Sequence, residues 1–169
     1  GGAVDLASKA VANDIVLEGS AAVKGGKKYA GEFTMTGGEL LKGSLINVAE
    51  EATLKDGVVN GTLSGVGTVA VSGDVTLGAT GKITTNALEI DGTLSVSAKG
   101  LVMNSKASAI TIDGGTVSSA GKISAFSMNM TGGTLDVTNA KPMGITLKDA
   151  FVATAGADID LYGGLTANQ

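Results

Sequence analysis

Apolar residues recur at every second position through residues 66–100, with a glycine at the middle of each run. Val69, Val71, Gly73, Val75 and Leu77 form one run, and Leu88, Ile90, Gly92, Leu94 and Val96 form another. Side chains of a strand alternate between its two faces, so each run sets its apolar residues on one side of an extended segment. Ile15, Leu17, Gly19, Ala21 and Val23 repeat the pattern upstream. Val69 and Leu88 stand 19 positions apart, and near-copies at such a period predict stacked repeats instead of a closed globule.

A second version of the run contains two glycines. Phe33 and Met35 lead through Gly37-Gly38 to Leu40; Ile110 and Ile112 lead through Gly114-Gly115 to Val117; Met128 and Met130 lead through Gly132-Gly133 to Leu135 and Val137. The extra residue flips the side-chain phase, which predicts a bulge or tight corner at each pair. Residues 44–65 are harder to phase. Leu45, Ile46, Val48, Ala52 and Leu54 are expected in two short strands around Glu50-Glu51, since Gly43 interrupts a competing helix over 39–53. Lys24-Gly25-Gly26-Lys27-Lys28 reads as a solvent-facing turn. Gly19, Gly37, Gly57, Gly73, Gly92, Gly114 and Gly132 serve as coil markers, with spacings of 18, 20, 16, 19, 22 and 18. Beyond them, Ile145, Leu147, Phe151 and Val152 make one strand region, and Ile159 with Leu161 another.

These elements predict an all-β chain folded as a right-handed parallel β-helix (solenoid) of about 19 residues per coil. Seven to eight coils at a rise of about 4.8 Å give a rod roughly 35–40 Å long. The β-helix domain is expected over residues 14–169 as part of a longer chain. Residues 1–13, with Val4, Leu6, Ala7, Ala10 and Val11, are expected to form an N-terminal cap or frayed terminus. An antiparallel β-sandwich is the competing architecture and explains the glycine spacing less well.

Composition narrows the function. Apolar residues make up 43% of the 169 positions, but aromatics only 3%, which suits a narrow layered core of Val, Ile, Leu and Ala. All twelve basic residues are lysine and the net charge is −4, which argues against a nucleic-acid partner. Histidine and cysteine are absent, so Ser-His-Asp and Cys-His catalysis, disulfides and His/Cys zinc sites are excluded. No stretch approaches the roughly 20 apolar residues of a spanning helix, and this part of the chain is expected to make no membrane contact.

With the repeat in hand, a resemblance can be stated. The phrases INVAEEATLKDG (46–57), LEIDGTLSV (88–96) and MNMTGGTLDV (128–137) resemble coils of bacterial autotransporter passenger domains and related β-helical surface adhesins, over about residues 14–164. The resemblance implies a secreted, non-enzymatic β-helical rod on the bacterial cell surface, exposed at the outer membrane or released. It implies adhesion, self-association or biofilm growth, with a role in virulence. The partner would be a host-surface protein or glycan, or a further copy, with a monomer favoured. The family's translocating C-terminal barrel has no counterpart in these residues.

Other readings compete. A phage or virion fibre segment also uses β-helical repeats, usually as trimers. A polymer-forming scaffold resembling bactofilins suits the stretch TLSGVGTVAVSGDVTLG (62–78). An ice-binding face would need threonines at one fixed place in every coil, and Thr34, Thr36, Thr84, Thr85 and Thr111 do not recur so. Asp158 and Asp160 alternate and share a strand face. They are candidates for paired acids or for oxygen ligands to Ca²⁺, with a solvated strand face as the plainer reading. Asn60, Asn86, Asn104 and Asn129 are expected in surface turns instead of an internal ladder. No catalytic, cofactor-binding or metal-binding residue is assigned from the sequence, and no cofactor is expected.

Overall fold

The computed structural model describes residues 3–5, 9–65, 67–104, 109–138, 144–162 and 165–167. These residues hold 21 strands and no helix. The strand positions are rich in Val, Ile and Thr, whose branched Cβ suits the pleated sheet. Every pairing among them is parallel, which excludes the antiparallel sandwich. The chain is a β-solenoid of about 7 turns roughly 19 residues apart. Coil length varies, from 17 residues between the partners Leu45 and Thr62 to 24 between Thr134 and Asp158.

Each coil contributes to three faces in turn. Strand Lys27–Leu40 shows the path. Its first residues pair with Leu45–Val48 on face 1. Its middle pairs with the start of Glu51–Val59 on face 2, and its end with the end of that strand on face 3. The same order repeats along the chain: Lys82–Thr85, Ala87–Ile90 and Thr93–Val96 occupy faces 1, 2 and 3 of one coil.

The interior is built from ladders of like residues. On face 2, Val69, Leu88, Ile110 and Met128 stack in register, and beside them Val71, Ile90, Ile112 and Met130. Face 3 adds Val75, Leu94, Val117 and Leu135, and face 1 adds Ile46, Leu63, Ile83, Val102 and Ile123. All of these are buried. Each contributes roughly 1.5–3 kcal/mol from burial before ordering entropy is subtracted.

The two strands expected within residues 44–65 form, as Leu45–Val48 and Glu51–Val59, and from them Ile46, Val48, Ala52 and Leu54 point inward. The two-glycine runs bend as expected, with positive φ at Gly38 (80°), Gly114 (74°) and Gly133 (80°). One coil marker is corrected. Gly57 pairs with Val75 as an inward position of face 3, and Lys55, not Gly57, stacks beneath Gly73 at the corner. A register shift between Leu54 and Asp56 moves that corner by two residues.

One further reading changes. Lys28 is not in a solvent-facing turn: it pairs with Ile46 on the inward side of face 1 and is 0% exposed, its Nζ donating to the Gly26 carbonyl at 3.0 Å. The alternation Lys28-Tyr29-Ala30 carries it inward with Ala30. Residues 1–13, where a cap or frayed terminus is expected, contribute strand Ala3–Asp5, paired with Ala22–Lys24, and the start of Lys9–Leu17, paired with Lys27–Leu40. The first strand region expected after Gly132 is two strands, Ile145–Leu147 on face 1 and Phe151–Ala153 on face 2, and the second is Ala157–Leu161 on face 3.

Candidate functional surface

Because the ladders fill the interior, the chemistry lies on the outward residues. Asp158 and Asp160 do share a face. Both are exposed on face 3, where Asp160 pairs with Asp136 and Asp158 with Thr134. Adjacent strands lie about 4.8 Å apart, so Asp136, Asp158 and Asp160 form an acidic patch. Among the described residues no group of three or more acidic side chains is placed to hold a metal ion.

A shallow groove of about 340 Å³ opens over face 2 and its edge with face 3, lined by Ala70, Ser72, Glu89, Ile90, Asp91, Thr111 and Asp113. Its polar groups are carboxylates and hydroxyls. Thr131 Oγ1 donates to Asp113 Oδ1 at 2.6 Å at its margin. Such a lining accepts hydrogen bonds and attracts cations. Spacing alone does not reveal it: Asp91 and Asp113 are 22 residues apart and meet only through the stacking of Gly115 on Gly92.

Face 3 carries a hydroxyl array that the sequence reading missed. Thr93, Thr116 and Thr134 pair in one row, and Ser95 with Ser118 continues the neighbouring row. Of the threonines weighed from the sequence, Thr34 pairs with Thr53 on face 2, whereas Thr84 and Thr111 pair with residues other than threonine. The signal present in the sequence is Thr-Leu-Ser-Val at 93–96, Thr-Val-Ser-Ser at 116–119 and Thr-Leu-Asp-Val at 134–137. The asparagines are not a ladder. Asn60 lies at the corner from face 3 to face 1, donating to Glu39 Oε1 at 2.7 Å, and Asn129 is exposed on face 2. Asn86 follows the face 1 strand Lys82–Thr85, whereas Asn104 ends strand Leu101–Asn104.

Inside, two polar groups interrupt the apolar ladders of face 1 and are satisfied. Lys28 donates to Gly26, and Thr85 Oγ1 lies 2.7 Å from the Gly67 carbonyl and 2.9 Å from that of Ala87. Ser119 takes the place of an apolar residue between Val96 and Val137, and its Oγ has no hydrogen-bond partner.

No protein-family model, no curated protein and no solved structure matches this chain.

Proposed function

We propose that the chain is a non-enzymatic structural and adhesive rod, secreted or displayed on a bacterial cell surface, that works through its outward faces. One observation carries this reading: the coils stack without interruption around a filled apolar interior, while hydroxyls, carboxylates and lysines are held outside on a rigid, repeating frame. A solenoid of this kind spreads its contacts along extended faces, as repeat proteins do. The absence of histidine and cysteine from the sequence removes the commonest nucleophile–base pairs. The partner class is a host-surface protein or glycan, or a further copy of the chain.

The test uses beads coated with the intact chain, presented to epithelial cells, to an immobilised glycan set and to beads bearing the same chain. Saturable attachment that free chain competes away is the expected result. Beads that attach to none of the three surfaces, or chain that depolymerises the glycans, would overturn the reading.

A further inference from the structure

Charge on this rod is sorted by face. The charged outward residues described on face 1 are lysines. Lys27, Lys82 and Lys122 occupy one row, connected in register through Leu45, Thr62 and Leu101. Among the described residues, no segment paired on face 1 contains Asp or Glu, the carboxylates of Lys9–Leu17 and Lys27–Leu40 lying further along those strands. The corner leading into this face adds the exposed Lys42 and Lys99. Faces 2 and 3 carry the opposite sign. Glu32, Glu51 and Glu89 are exposed on face 2, whose strand residues include no lysine. Asp91 and Asp113 are exposed at the edge where faces 2 and 3 meet. In a three-sided prism that edge lies opposite face 1. Lys24 and Lys55 are exceptions, at the end of a face 3 strand and at the acidic edge, and the corner from face 1 to face 2 carries exposed Glu50 and Asp149 together with Lys148.

We propose that face 1 is a docking surface for a second copy of this chain, which presents the acidic edge formed by Glu89, Asp91 and Asp113. Charge complementarity identifies the occupant: the molecule carries both a lysine face and a carboxylate edge, built on the same rise per coil. The lysine row, five coils from Lys27 to Lys122, runs about 24 Å at that rise. Lysine stands on three of the six rungs of that row and Asp91 and Asp113 on two adjacent rungs, so the contact forms at the registers that set a lysine opposite one of them. Face 1 also offers apolar surface between its charges. Leu45 is only half-buried, and Lys27 Nζ stands 4.9 Å from the ring centre of Tyr29. Because a basic face meets an acidic edge, the contact is heterologous. Each bound copy leaves one of the two surfaces free, and growth proceeds laterally into bundles of rods.

This pairing deepens the surface-rod reading and rests on it. The experiment is sedimentation of the intact chain over a concentration series at about 20 mM and about 300 mM salt, which straddle the ~10 Å screening length of 0.1 M salt. The expected result is a mass that rises with concentration at low salt and returns to 16.5 kDa at high salt. Lys27→Glu/Lys82→Glu/Lys122→Glu stays at monomer mass in both, as does Glu89→Lys/Asp91→Lys/Asp113→Lys. An equimolar mixture of the two associates again, because each supplies the sign the other lost. A milder Lys27→Gln/Lys82→Gln/Lys122→Gln set, checked by circular dichroism, gives the same loss where charge reversal disturbs folding.

A wild-type chain that is monomeric at low salt overturns the proposal, as do reversed variants that associate like wild type or a mixture that stays monomeric. Capture of dextran sulfate by a monomeric wild-type chain, lost on Lys→Glu reversal, also overturns it and gives face 1 to a polyanion. Monomers whose beads still attach to cells overturn the pairing alone. Salt-dependent association without attachment to cells or glycans supports the pairing and removes the adhesive part of the function.

Discussion

At the scale of single residues, the interior is regular enough that its exceptions stand out. Ser119 occupies a face 3 rung between Val96 and Val137, fully buried, with no partner for its hydroxyl. A buried unsatisfied hydroxyl costs about 1–3 kcal/mol. Ser119→Val removes that group and restores the rung, so the urea midpoint is expected to rise by an amount equivalent to about 1–2 kcal/mol. Lys28 is the second exception, an ammonium on an inward rung in register with Ile46. Methionine has a similar length and no desolvated charge. Lys28→Met is expected to raise the same midpoint by about 1 kcal/mol or more, whereas Ile46→Lys, which creates a second buried ammonium, lowers it steeply. Gly133 illustrates the converse constraint. With φ at 80° and the Gly115 carbonyl in the space of a Cβ, it admits no side chain without moving the backbone.

At the scale of the strand, alternation decides what each position does. Ile90 and Thr93 are three residues apart, yet Ile90 is 2% exposed and Thr93 faces outward. Ile90→Asp places a carboxylate between Val71 and Ile112 and is expected to cost more than about 4 kcal/mol. Thr93→Ala removes an outward hydroxyl and is expected to stay within about 0.5 kcal/mol. Thermal melts of the two variants check this directly. Equal losses would show that the inward and outward sets are wrongly assigned. The corners follow a second rule: where the chain must turn between faces 2 and 3 with an extra residue, a glycine pair supplies the left-handed backbone. The coil at residues 51–59 turns without such a pair, through Lys55-Asp56, and there the glycine count misplaced the corner.

At the scale of the molecule, each coil rests on its neighbours. Strands of the middle coils pair on both edges: Thr93–Val96 bonds both Thr68–Leu77 and Thr116–Ser119. Among the described residues Ala157–Leu161 pairs on one edge, with Gly133–Val137, and its inward Ile159 and Leu161 are only half-buried. In a one-dimensional stack, stability is a sum of nearest-neighbour terms. Amide hydrogen exchange is therefore expected to be slowest in strands 69–96 and faster by at least about tenfold in 157–161, reflecting local opening. Uniform protection along the chain would mean that the solenoid opens only as a whole. The sorting of lysines and carboxylates onto different faces also belongs to this scale, and it makes ionic strength the variable that governs contact between rods.

The sequence by itself determined the repeat, the parallel solenoid and most inward residues of faces 2 and 3, but not the face 1 ladder of Leu63, Ile83, Val102 and Ile123. Period-2 alternation and a coil near 19 residues are local signals, and an apolar ladder has a single way to leave water. The two strands around Glu50-Glu51 were legible for that reason, as was the shared outward face of Asp158 and Asp160, whereas the phase of Ile46 and Val48 was not. Tertiary structure alone decided which outward residues become neighbours. Coil length varies from 17 to 24 residues, so no fixed spacing predicts that Asp91 and Asp113 line one groove, or that Thr93, Thr116 and Thr134 form one row. It also decided that Lys28 turns inward and that Lys27, Lys82 and Lys122 share a face free of carboxylates. Side-chain direction follows from register across coils, and register is set by contacts between residues far apart in the chain.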